Sequence, residues 1–249
     1  MQIKIKTLIL SDIHIGSKHS KTKEVSRFLK KFDFERLILN GDIIDGWQIQ
    51  KKGVKWQKKH SRFVKVILKL LENENTSIIY IRGNHDDFLE NFLPFTFQNL
   101  TLAKDYILHS GNKKYYVTHG DMFDSITRHM QWLSKLGDLG YTLLLRINRI
   151  YNHHRRKKGK PYFSLSQLIK HKVKGAVSYI SNFEKELVQL AHTKNCDGVI
   201  CGHIHQPANR ILGNIHYLNS GDWVESLSAL TEDLNGNWEV IYYKDLIDP

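Results

Sequence analysis

Four apolar runs of strand length stop abruptly on side chains that carry lone pairs. Leu8-Ile9-Leu10 runs into Ser11-Asp12-Ile13-His14, and Leu37-Ile38-Leu39 into Asn40-Gly41-Asp42. Ile78-Ile79-Tyr80-Ile81 runs into Arg82-Gly83-Asn84-His85-Asp86, and Gly198-Val199-Ile200-Cys201 into Gly202-His203-Ile204-His205. A shorter run, Tyr115-Tyr116-Val117-Thr118, ends on His119-Gly120-Asp121. Short apolar runs bounded by turn residues read as buried strands. The polar groups at their ends therefore gather wherever the strand ends gather.

Between the first runs lie helical patterns. Residues 3–10 read as a strand and 22–31 as a helix, with Val25, Phe28, Leu29 and Phe32 on one face. Residues 36–40 read as a strand, 56–72 as a helix carrying Phe63, Val64, Ile67, Leu68 and Leu71, and 77–81 as the next strand. This alternation predicts βαβ units and a sheet with parallel character. Ligands of such sheets collect beyond the carboxyl ends of the strands, where Asp12, Asp42 and Asn84 would lie.

The pattern changes after residue 100. Segments 100–103, 106–109 and 114–118 alternate like hairpin strands. From 123 to 194 strand signals are lacking. Residues 125–151 are helical in pattern, followed by a basic connector at 153–161, a capping box from Ser164 to Gln167, and a long helix with Leu165, Ile169, Val173, Ile180 and Leu187 on one stripe. Strands resume at 197–201, 208–212, 215–218, 227–232 and 237–243. The expectation is one α/β domain over 1–249, interrupted by a helical insertion over 123–194 that can act as a lid.

Composition narrows the class. The chain of 249 residues carries a net charge of +12, which favours an anionic partner: a phosphorylated substrate, nucleic acid or an anionic membrane face. No nucleic-acid reader motif or stacking cluster of aromatics is present, which argues against nucleic acid. The two cysteines, Cys196 and Cys201, make no disulfide framework and fit a reducing cytoplasm. The first residues alternate like an opening strand rather than a signal peptide. No stretch approaches the roughly 20 apolar residues that span a bilayer. The expected location is cytoplasmic, with peripheral contact to the inner membrane left open.

The strand ends carry the chemistry. Asp12 and His14 are two apart, and on an extended backbone such residues point the same way, so both can reach one ion. His203 and His205 share that spacing. Asp42, Asn84 and His119 add one donor each. Carboxylate, amide oxygen and imidazole together suit Mn, Fe, Zn or Co better than Ca or Mg alone. The expectation is two metal ions with the Asp42 carboxylate shared between them. A lone Asp or His after a strand is ordinarily a cap or turn residue; five such blocks together are not. Neither a Gly-x-Ser-x-Gly elbow nor a phosphate-binding P-loop appears.

In this order, Asp12-Ile13-His14, Gly41-Asp42-Ile43-Ile44-Asp45, Gly83-Asn84-His85-Asp86, His119-Gly120-Asp121 and Gly202-His203-Ile204-His205 resemble the calcineurin-like metallophosphoesterases. The resemblance implies a two-sheet α/β sandwich flanked by helices, with the helical lid inserted. It implies two divalent ions, Mn2+ first among the candidates, one held by Asp12, His14, Asp42 and His205 and the other by Asp42, Asn84, His119 and His203. It makes His85 the group that protonates the leaving oxygen and gives Asp86 the part of orienting His85 or shaping its turn. Arg82, just before the turn, is a candidate for touching a substrate phosphate. Metal-activated hydroxide would attack the phosphorus of a phosphodiester or pyrophosphate.

Further stretches, Asp42-Ile43-Ile44-Asp45-Gly46-Trp47, Leu136-Gly137-Asp138, Ser164-Leu165-Ser166 and Gly221-Asp222-Trp223-Val224-Glu225-Ser226, are similar to the branch that cleaves UDP-2,3-diacylglucosamine in lipid A synthesis. That branch implies release of UMP and 2,3-diacylglucosamine 1-phosphate, with a lipid substrate and an anionic membrane surface as partners. The residue after Gly-Asn in that branch is commonly Arg. Here it is His85, as in general phosphoesterases, which keeps open a nucleotide or general phosphodiesterase.

Overall fold

The computed structural model of the chain describes residues 2–17, 19–51, 55–123 and 165–247, with Arg155, Lys157 and Lys158 besides. The helix expected over 125–151, most of the basic connector and the capping box at Ser164 lie outside the described residues.

The first half alternates as its sequence predicts. β1 (Ile3–Leu10) leads to α1 (Thr22–Leu29), β2 (Phe32–Asn40), the short α2 (Gly46–Ile49), α3 (Lys58–Leu71) and β3 (Ser77–Ile81). β4 (Phe95–Phe97), β5 (Leu100–Ala103), β6 (Asp105–Ser110) and β7 (Lys113–Thr118) follow. The long helix α4 (Leu165–Thr193) belongs to the inserted helical segment. β8 (Gly198–Cys201), β9 (Ala208–Leu212), β10 (Ile215–Asn219), β11 (Ser228–Glu232), β12 (Trp238–Tyr242) and α5 (Tyr243–Ile247) complete the chain.

The strands form two mixed sheets. One runs β12-β11-β1-β2-β3-β5-β4 and the other β6-β7-β8-β10-β9. β1, β2, β3 and β5 are mutually parallel, as are β7, β8 and β10. Two groups of parallel carboxyl ends therefore supply all five strand-end blocks.

The period of two in a strand divides each apolar run between two cores. Ile9, Ile38, Ile79 and Ile81 meet Leu108, Val117, Ile200 and Leu218 from the other sheet. Leu8, Leu10, Leu37 and Leu39 point the opposite way and pack with Val25, Phe28, Phe63 and Trp223. Burial on both faces explains why the strands read as unbroken apolar runs rather than alternating ones.

Two boundaries and one helix face differ from the sequence expectation. Phe32 opens β2 rather than closing α1, paired in parallel with Ile3, yet its ring still meets Phe28 at 5.0 Å. On α3 the packed set is Phe63, Val66, Ile67 and Leu70, while Val64 and Leu68 are exposed. Both sets fit helical spacing, and the sheet beneath selects one of them. The last strand stops at Tyr242 and the chain turns into α5.

By contacts the chain divides into two units: Met1–Asp121 with Leu187–Pro249, and Met122–Glu186. In the second unit the rings of Phe123 and Tyr179 each meet Phe183 at 6.2 Å. No helix among the described residues is long and apolar enough to cross a membrane.

Candidate metal centre

The backbone announces the site before any side chain does. Eight described non-glycine residues have positive φ, and five of them are Asp12, His14, Asp42, His203 and His205, at φ between 51° and 66°. Left-handed backbone costs an L-residue roughly 1–2 kcal/mol, and such strain gathers at functional sites. It also corrects the expectation of an extended backbone at the two Asp/His-x-His pairs. Each pair turns sharply as its strand ends. His205 joins Asp12 and His14, whereas His203 joins Asp42 and His119.

Three overlapping groups of ligand-competent atoms result: Asp12, His14 and His205; His14, Asp42 and His85; and Asp42, His119 and His203. Asp42 links them. Its Oδ2 lies 3.4 Å from His119 Nε2, 3.7 Å from His14 Nε2 and 3.9 Å from His85 Nε2. Its Oδ1 accepts the His85 backbone N–H at 2.8 Å. Gly83 makes this approach possible, because a Cβ there would collide with Asp42 Oδ1 and the Asp42 backbone nitrogen.

The donors fit divalent ions. His119 is fully buried, and its Nδ1 donates to the Asn40 carbonyl at 2.9 Å. That bond fixes the ring and aims Nε2 into the site, where its lone pair serves an ion once the proton leaves. His119 Nε2 and Asn84 Oδ1 are both buried without a hydrogen-bond partner. Orphaned buried polar atoms are costly, and a missing ion is one of their few explanations. Asp12 is fully buried too; its Oδ2 accepts the His203 backbone N–H at 3.0 Å and its Oδ1 lies 3.1 Å from His205 Nε2.

Electrostatics match this donor set. Burial alone would raise the Asp12 carboxyl, but His205 and His119 outweigh it and hold it at about 2. Asp42 is lowered further, burial being overcome by His119, His14 and His85. In return, burial would lower His119 and His205, but Asp42 and Asp12 raise His119 well above the usual range, and Asp12 raises His205 to about 9. His14 goes the other way, because burial outweighs the attraction of Asp42 and Asp12. Ion for proton is the exchange such a site is built to make.

His85 stands beside this cluster. A carboxylate can only accept, so the 3.1 Å contact from His85 Nδ1 to Asp45 Oδ1 is donated by the imidazole, leaving Nε2 facing Asp42. Asp45 is the residue sequence reasoning missed as an orienting group. Its signal was the second acid of Gly-Asp-x-x-Asp. Asp86 occupies the turn instead. Its carboxylate accepts backbone N–H groups from Gly83, Ile43 and Asp42 and the Tyr80 hydroxyl at 2.6 Å. Arg82 pairs with Glu90 at 2.5 Å and with Asp121. A substrate phosphate would compete with both carboxylates for it.

The sandwich and its paired His/Asp clusters define a metal-dependent hydrolase with a two-ion centre. The family Metallophos, calcineurin-like phosphoesterase, matches residues 5–207, and the chain belongs to it. Among solved structures, it is similar to Yfce, a phosphoesterase from E. coli, at 18% identity over 97% of this chain and 94% of that one, with a TM-score of 0.49. An archaeal phosphodiesterase is 14% identical over 95% of this chain and 99% of that one, with a TM-score of 0.45. Vps29 from Entamoeba histolytica is 11% identical over 94% and 97%, with a TM-score of 0.42. No curated protein sequence matches the chain.

Proposed function

We propose that the protein hydrolyses a phosphodiester, with a nucleotide or a general diester as substrate. Asp12, His14, Asp42 and His205 would hold one ion, and Asp42, Asn84, His119 and His203 the other. The observation that carries this reading is Asp42 Oδ2, within 3.7 Å of imidazoles from both groups. Two divalent ions, Mn2+ first among Mn, Fe, Zn and Co, supply charge neutralisation and an acidified water when bound.

The chain's own residues do the rest. Attack by water forms one P–O bond as the bond to the leaving oxygen breaks in line. His85, its Nδ1 fixed by Asp45, gives the Nε2 proton to that leaving oxygen and is reprotonated from solvent. A buried Asp86 holds the turn that carries His85, so the imidazole is set before substrate arrives. This economy suits phosphoryl transfer, where positioning and charge matter more than a protein nucleophile.

A second reading is UDP-2,3-diacylglucosamine, split to UMP and 2,3-diacylglucosamine 1-phosphate at an anionic membrane surface. The exposed aromatic rings of Trp47 and Phe88, on the two segments that meet at His85, support an apolar substrate portion. His85 in place of the Arg common to that branch supports the first reading. Incubation with Mn2+ and either bis(p-nitrophenyl) phosphate or UDP-2,3-diacylglucosamine separates them. Nitrophenol without UMP backs the diesterase, UMP release backs the second reading, and no product from either overturns both.

A further inference from the structure

Trp47 is a large aromatic ring left 45% exposed, yet the segment that carries it is braced on both sides. It sits on α2, a helix of only four residues. Asp45 caps that helix, accepting the Gln48 backbone N–H at 3.0 Å. The Gly46 backbone N–H donates to the His85 carbonyl at 2.9 Å. Gly46 also abuts Phe88, since a Cβ there would lie 2.8 Å from that ring. The segment before Trp47 is thus tied to the segment after Asn84.

The outcome of this bracing is a stack. The Trp47 ring lies 4.2 Å from the His85 ring, tilted by 37°. A second ring, His14, meets His85 edge-on at 4.6 Å and 88°. With Asp45 on Nδ1, the His85 imidazole is held by a hydrogen bond, an edge and a face. Asp45 fixes one atom of the ring and His14 is committed to the ion cluster. Among the described residues, Trp47 lies against the ring and so opposes its rotation toward solvent.

We propose that Trp47 is a positioning residue for His85, holding the imidazole so that Nε2 faces the leaving oxygen. This rests on the reading of His85 as the leaving-group acid. The ring contact of Trp47 is with His85, so its effect falls on proton delivery. Delivery matters more when the leaving oxygen is more basic. The deficit of a Trp47 variant therefore grows from a good leaving group to a poor one.

The test compares bis(p-nitrophenyl) phosphate with diphenyl phosphate, whose two leaving groups are both aryl and would stack alike. With Mn2+ saturating, Trp47→Ala is expected to lower kcat on diphenyl phosphate about tenfold, with a smaller loss on the nitrophenyl ester and KM little changed. Trp47→Phe, which keeps a ring face, restores most of it; Trp47→Leu, which keeps bulk alone, does not. In a His85→Ala background the Trp47→Ala loss disappears. A second readout needs neither metal nor turnover. The His85 Hε1 proton of the metal-free protein should resonate upfield from the ring current of Trp47 and return downfield in Trp47→Leu.

Equal losses on both diesters, a rise in KM alone, or a full loss persisting without His85 would overturn the proposal, as would an unshifted Hε1 proton. Absence of diester hydrolysis by the wild-type protein would instead sink the functional reading, leaving the proton resonance to decide whether the clamp exists. If Trp47→Ala fails to fold, the contrast between Phe and Leu carries the same decision.

Discussion

Two buried acidic clusters lie five residues apart along β1 and its exit. At Thr7, Glu232 of β11 sits opposite in the sheet and is fully buried. Thr7 Oγ1 donates to it at 2.5 Å, Ser110 Oγ of the other sheet at 2.6 Å, and Lys6 Nζ lies 3.7 Å away. At Asp12 and Asp42 the carboxylates are equally buried, but both stand on left-handed backbone among imidazoles, and among the described residues Asn84 Oδ1 and His119 Nε2 make no hydrogen bond. The first cluster is complete and staples the two sheets. The second is incomplete without ions. Burial of charge is common to both, so it does not identify function. Strain and missing partners do.

Substitutions can break that contrast. The largest effect belongs to Asp42→Ala, which should abolish Mn2+-dependent hydrolysis and deplete metal at both positions; two equivalents retained by elemental analysis would remove the shared role. Next comes His85→Ala. Metal content stays, and turnover falls by about 10²–10⁴, the usual weight of a general acid. An unchanged rate would take His85 out of the mechanism.

Metal affinity should follow pH. His119 and His205 hold protons in the metal-free protein at neutral pH, because their acidic neighbours raise them above the ordinary range. Ions must displace those protons, so affinity climbs with pH by up to about tenfold per unit for each proton lost, and the His205 share of that climb ends above about 9. Calorimetry in buffers of different ionisation enthalpy counts the protons; none released would refute this. The same elevation has a stability side. The protonated His205–Asp12 pair stabilises the metal-free fold fully below the unfolded histidine value, near about 6.5. That contribution is lost as pH rises through about 9.

Asp45→Ala should cost about 10–100-fold in turnover, the usual range for a group that orients another. The smallest effect on chemistry belongs to the staple. Glu232→Gln should lower thermal stability, by about 1–3 kcal/mol for a buried partner left mismatched, with metal content and turnover unchanged. Loss of metal in that variant would join the two clusters into one system.

Much of the fold was legible because both faces of each central strand are buried, which writes apolar runs into the sequence. Asp12, His14, Asp42, His119, His203 and His205, which the structure brings into ligand-competent groups, were legible because they follow those runs at once. Less visible was the helix face at Phe63 and Leu70, since two faces of α3 are apolar and only the sheet selects between them. The role of Asp45 was hidden although its motif is plain, because its partner His85 lies 40 residues away.

The family and the candidate donors thus came from the order of residues alone, since a run ending in Asp, Asn or His states where a strand stops and what it offers there. Tertiary structure decided the division of labour. Left-handed turns sent His203 and His205 to different groups, packing gave the turn to Asp86 and the imidazole to Asp45, and α2 carried Trp47 onto the face of His85. Those assignments depend on torsion angles and on contacts between segments remote in sequence, and local spacing encodes neither.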